Sequence, residues 1–270
     1  MDHPDAPDFW RKDFVATLRL IGSAAARLPY GVPEPVLDGQ AAVELYSGGL
    51  WPARQVELLT MEAPLLRADL VEAGFRRHEC SPGDGQYLRH PWFDRDVTIT
   101  VRAPTDANVV AVEIGTAEDT TTIRIVGIED LIADQVIGWL RQGGRRGPIS
   151  TLIQVLVELG HAGVGGRFRP AYLQRRLARE TQGEALLELP FAPYGLDDPL
   201  PRTMSLAAIA SVVGSWRASR GLPRDGADLI GDAHRPDRRP SKPRTRDALK
   251  EKDGPSAKTA QIIPFRSGGR

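Results

Sequence analysis

Three segments between residues 97 and 125 alternate apolar and polar residues with a period of two. After residue 127 the apolar residues recur with a helical period instead. Val97, Ile99 and Val101 alternate with Thr98 and Thr100; Val110, Val112 and Ile114 with Ala111 and Glu113; Ile123 and Ile125 with Thr122 and Arg124. Successive side chains of a strand point to opposite faces, so each segment predicts a half-buried strand. Beyond Gly127, the residues Ile128, Ile132, Val136 and Trp139 share one helical stripe. Helices are also predicted over 149–159, 170–179 and 205–216. Strands early and helices late predict an α+β fold with a mixed sheet, flanking helices and a helical continuation.

The first third of the chain adds elements to this frame. Trp10, Phe14, Leu18, Ile21, Ala25 and Leu28 predict a helix that the run Pro29, Gly31, Pro33 and Pro35 ends. A short apolar pair, Val36-Leu37, precedes Asp38-Gly39 and a helix over 40–46, closed by Gly48-Gly49. Val56 to Leu59 predicts a short strand. Ala63 to Phe75 predicts a helix with Leu66, Leu70, Val71 and Phe75 on one face.

From about Ala218 to Ser256 the chain is rich in Pro, Arg, Lys, Asp and Gly, with few aliphatics. Such a stretch buries too little apolar surface to offset its ordering entropy, which predicts a disordered tail over 218–270. Ile262, Ile263 and Phe265 form a lone apolar cluster near its end, suited to binding a protein partner at a sheet edge or groove. The expected organisation is an α+β core over 1–135, the helical continuation over 136–217, and this tail.

Lys plus Arg and Asp plus Glu number 35 each, so no global field attracts nucleic acid or an acidic membrane. The single cysteine, Cys80, excludes an intramolecular disulfide and fits a reducing compartment. No apolar run approaches the roughly 18 residues of a membrane span, and the acidic start MDHPDAPDFW is unlike a signal peptide. A soluble, cytoplasmic protein is the expectation.

The segment LDGQAAVELYSGGLWPARQVELLT, residues 37–60, resembles the signature of the nucleotidyltransferase superfamily, which has the DNA polymerase β-like fold. Asp38-Gly39 matches its turn, Ala42-Val43-Glu44-Leu45-Tyr46 its helix, and Ala53-Arg54-Gln55-Val56-Glu57-Leu58 stands where that family has Thr-x-Asp-Ile-Asp-Leu. Gly74-Phe75, His90-Pro91 and Gly127-Ile128-Glu129-Asp130-Leu131-Ile132-Ala133-Asp134 follow in the family's order. Ala171-Tyr172-Leu173 is similar to the helical cap of members tied to abortive infection and toxin–antitoxin systems.

The resemblance implies a magnesium site held by three carboxylates and a triphosphate held at the Gly39 turn. Nucleotidyl transfer uses two magnesium ions, one at the attacking oxygen and one at the leaving phosphate. Magnesium demands anionic oxygen in near-octahedral geometry. Here Gln55 offers a neutral amide where the family has a carboxylate, and Glu57 keeps the charge as the metal-binding position. The third position falls at Thr100 or at Glu113, and its distance from His90-Pro91 favours Thr100. At the phosphate turn Gln40 replaces a small hydroxyl residue beside Gly39, and Asp38 adds a negative charge.

Two functions follow. In the first, the chain is a non-catalytic or weakly catalytic relative that binds a nucleotide or a protein partner in a defence or toxin–antitoxin setting. In the second, it is an active magnesium-dependent nucleotidyltransferase that moves a nucleoside monophosphate to protein or RNA, with Glu57 and Glu113 as its carboxylates. The missing Asp-x-Asp pair favours the first. Other groups read as structural: His78, Cys80 and His90 lack zinc-site spacing, and Glu129 and Asp130 suit a helix's first turn. Arg141, Arg145 and Arg146 read as a solvated turn.

Overall fold

The structure is a computed structural model that describes residues 9–78, 87–102, 108–116, 118–144, 147–181, 185–187, 202–222 and 261–263. An eight-stranded mixed sheet runs in the order β3-β4-β5-β2-β1-β7-β6-β9. Its central strands are β1 (Val36–Asp38), β2 (Gln55–Thr60), β5 (Asp96–Val101), β6 (Val109–Thr116) and β7 (Asp119–Val126). The α+β class, the mixed sheet and the flanking helices are as the periodicity predicts.

β1 pairs antiparallel with β2 and parallel with β7, and β2 pairs parallel with β5. The register sets Ile99, Leu58, Leu37, Ile125 and Val110 in one row across five strands. Val56, Leu58, Leu37, Ile125 and Val110 are all fully buried. On β2 and β5 the alternate positions Gln55, Glu57, Thr98 and Thr100 keep part of their surface in water. Packing therefore fixes which side of these strands faces outward.

α1 (Lys12–Ala25) buries Phe14, Leu18 and Ile21 and packs on β7, β6 and α3 (Ala63–Glu72). α3 ends three residues before the predicted limit because Gly74 takes φ +99°. Val71, expected on the buried face, is 52% exposed. α2 (Gly39–Tyr46) packs on β1, β2, α4 (Ile128–Arg141) and α5 (Pro148–Ala162). α6 (Pro170–Glu180) lies on α4. Both α5 and α6 start at a proline, whose fixed φ suits the first turn.

Five short strands were not legible from alternation: β3 (Arg76–His78), β4 (Tyr87–Arg89), β8 (Ala185–Leu187), β9 (Arg202–Ser205) and β10 (Gln261–Ile263). Three or four residues complete too few alternations to rise above chance. The expected boundary at residue 135 falls inside α4. The later helices return a strand to the sheet, since β9 pairs parallel with β6. α7 (Leu206–Ser219), capped by Ser205, then packs on β6, β9 and α5.

The tail expected to be disordered from residue 218 differs in its described parts. α7 runs on to Ser219, and Gln261–Ile263 pairs parallel with β8. Residues 223–260 and Phe265 lie outside the described residues. No helix among the described residues is long and apolar enough to cross a membrane.

Candidate functional site

Asp38 ends β1 and caps α2, its Oδ1 accepting a hydrogen bond from the Gly39 amide at 2.7 Å. Gly39 takes φ +62°, and a β-carbon there would lie 3.0 Å from Glu57 Oε2. Both the left-handed angle and the close approach call for glycine. Antiparallel register sets Glu57 directly opposite Asp38, and parallel register sets Thr98 beside Glu57. Thr100 Oγ1 donates to Glu57 Oε1 at 3.1 Å, and Gln55 Nε2 donates to Thr98 Oγ1 at 2.9 Å. The sheet thus gathers Asp38, Gly39, Gln55, Glu57 and Thr100.

Gln40 is exposed in the first turn of α2. Glu113 does not join the group. It is exposed on β6, with β1 and β7 between that strand and β2. At about 4.8 Å per strand spacing, three spacings leave it more than 10 Å from Glu57, too far to share an ion.

The donor set decides whether magnesium fits. Two magnesium ions need several anionic oxygens at about 2.1 Å. Among the three positions that the resemblance assigns to ligands, Glu57 alone is anionic, and a threonine hydroxyl already engages one of its oxygens. Asp38 faces it across the strands, but its Oδ1 is held by the α2 backbone. Among the described residues no three His, Cys, Asp or Glu side chains converge as a metal site requires. These residues do not fit a two-magnesium centre.

Beside this face, α4 and α6 build an ion-pair cluster. Glu129 and Asp130 are buried, so they do more than complement a helix dipole. Glu129 Oε1 accepts the Arg169 amide at 2.8 Å, and Glu129 Oε2 accepts Asn108 Nδ2 at 3.2 Å. Asp130 Oδ1 accepts Tyr172 Oη at 2.8 Å and is also bonded by Arg176 Nη1. Arg176 reaches Asp134 at 2.5 Å and Glu180 at 2.9 Å.

Burial pushes the Asp134 carboxyl up to about 6; Arg176 opposes this, while the charges of Asp38 and Asp130 add to it. α4 packs on α2, the helix that Asp38 caps. Burial and the Asp130 carboxylate push the Tyr172 hydroxyl above its usual range. Arg169 and Arg176 were missed in sequence, and Tyr172 was read only as part of a family-like cap, with no part in this cluster. Their one signal was a basic and aromatic stripe at helical spacing, meaningful only once α6 is known to face α4.

Under α2 lies a second buried pair. Glu44 and Arg95 have no exposed side-chain surface, and Arg95 Nη1 and Nη2 donate to Glu44 at 2.7 and 3.1 Å. The Ala53 amide donates to Glu44 Oε2 at 2.6 Å, Arg95 Nε donates to Asp13 at 3.1 Å, and the guanidinium lies 4.7 Å over the Phe14 ring.

Neither a protein-family model nor a curated protein matches this chain.

The remaining expectations are structural. A β-carbon on Gly74 would meet His90 Nε2 at 2.9 Å. Phe75 and Phe93 hold the His90 ring at 5.3 and 4.7 Å. Burial, and then Arg76, lowers the His90 pKa. Gly74-Phe75 and His90 thus form an aromatic corner. Cys80, Arg145 and Arg146 lie outside the described residues, and Arg141 ends α4.

Proposed function

We propose that this chain is a non-catalytic protein on a nucleotidyltransferase-like fold, acting by binding a protein partner in a toxin–antitoxin or defence setting. The observation that carries this reading is the shortage of carboxylates on the sheet face. Gln55 bonds Thr98, Thr100 bonds Glu57, and one carboxylate remains where chemistry on a triphosphate needs three. The α2 N-terminus supports the reading too. A helix N-terminus attracts phosphate through free amides, but the Asp38 carboxylate sits on the Gly39 amide and repels a second anion. A nucleoside triphosphate and magnesium therefore bind weakly or not at all.

Titration calorimetry with magnesium and a nucleoside triphosphate tests this on the native chain and Glu57→Ala. The expected native result is a dissociation constant of about 1 mM or weaker, a free energy near −4 kcal/mol. Gln55→Asp with Glu57→Asp should strengthen magnesium binding, and adding Thr100→Asp should strengthen it again. Tight native binding that disappears in Glu57→Ala would mean a working metal site and would end the non-catalytic reading.

A further inference from the structure

We propose that the edge of β8 to which the chain's own Gln261–Ile263 pairs is a docking site for an extended aliphatic segment of a protein partner, with Gln261–Ile263 keeping it filled in the free chain. This deepens the partner-binding reading above and rests on it. The register is Gln261 to Ala185, Ile262 to Leu186 and Ile263 to Leu187, in parallel. A parallel pair cannot be closed by a tight turn. β10 therefore reaches β8 as a separate segment, which is how a peptide adds to a sheet edge.

The sequence singles out the same residues, because Ile262-Ile263 follows a stretch over 223–260 that is poor in aliphatics. That stretch spans on the order of 100 Å when extended, more than enough to reach β8 from the end of α7. Among the described residues, β8 and β10 make a sheet of only two strands. An isolated two-stranded pairing is marginal in water. Tethering offsets this by giving the segment an effective concentration near the millimolar range. The edge is thus occupied yet exchangeable, and a partner strand must outcompete the tether. β8 also packs on α6, the helix whose Arg176 holds Asp130 and Asp134. An occupant of this edge therefore pairs with a strand that touches that helix.

The probe is a labelled synthetic peptide of residues 257–266, read by fluorescence anisotropy against the full chain. Ile262→Asp with Ile263→Asp vacates the edge, since aspartate is a poor strand former. Peptide binding to this variant should be about ten-fold tighter, or more, than to the native chain. Equal binding to both, or no binding to the variant, overturns the proposal. Ala185→Pro and Leu186→Pro are then placed separately on the vacated chain. Neighbouring amides of a strand face opposite edges, so one proline removes a donor facing the peptide and the other does not. One variant should lose the peptide and the other keep it; loss by neither overturns the docking site. Light scattering adds a check on cis occupancy: a native dimer that becomes a monomer in the aspartate variant would overturn it. A working magnesium site at Glu57 would end the non-catalytic reading and leave these peptide results unchanged.

Discussion

Glu44 and Glu57 belong to one short unit, β1–α2–β2, and their surroundings are opposite. Glu44 has no exposed side-chain surface and receives a two-pronged guanidinium and a backbone amide. Glu57 lies partly in water with a threonine hydroxyl on one oxygen. A charge is kept deep inside only where the fold brings the opposite charge to it. On the sheet face, where metal ions would supply that charge, the neighbours of Glu57 among the described residues are hydroxyls, an amide and a second carboxylate, Asp38, and no cation. Glu44 should therefore matter to stability and Glu57 little.

The largest expected effect tests the first half of that contrast. Glu44→Ala or Arg95→Ala strands a buried charge and should cost about 3–5 kcal/mol of unfolding free energy in urea. Replacing both with methionine should recover much of the loss, because burying an ion pair is itself costly. A single-variant loss below about 1 kcal/mol would remove the contrast. Asp130→Ala comes next: it leaves Tyr172 and Arg176 short of a buried acceptor and should cost about 2–3 kcal/mol. Glu57→Gln, measured alongside, should stay within about 1 kcal/mol of the native chain, because Glu57 lies partly in water and forms no ion pair among the described residues that the substitution would break.

The smallest effect sharpens the comparison by pH. The Asp134 pKa is raised in the folded chain from its ordinary 3.8 to about 6. The folded state thus holds the proton more tightly than the unfolded one, and its contribution is complete below about pH 4. That contribution is lost as pH rises through about 6. Solvent reaches 40% of the side chain, which screens the effect. Asp134→Asn should flatten this part of the stability profile, as read from midpoint temperatures between pH 4 and 7. An unchanged slope would show that Arg176 already balances the burial.

The α+β class was legible because alternation over 97–125 and helical spacing after 127 reflect two different ways of burying one face. The Gly39–Glu57–Thr100 group was legible through the resemblance in the order of motifs, and strand parity added only that Gln55 and Glu57 share a face. Glu113 failed the same logic. Parity puts a residue on a face but says nothing of how many strands lie between. The Asp130–Arg176 cluster failed for another reason: its partners are some forty residues apart, and local spacing carries no information about which helices touch.

The closing helix bears on how this chain assembles as it is made. Arg217 donates to the Gly48 carbonyl at 2.7 Å and stacks 4.8 Å over the Phe9 ring, and a β-carbon on Gly48 would lie 2.6 Å from Val213. Residues at the start of the fold are thus sealed by a helix translated long after them. Contacts between distant parts of a sequence slow folding, and a chain emerging from the ribosome folds from its N-terminal side. Until residue 205 emerges, the β6 edge has no β9 beside it, and an unpaired strand edge invites pairing with another chain. The most vulnerable moment for this protein falls late in its synthesis, when the sheet is built but its last strand and sealing helix are still to come.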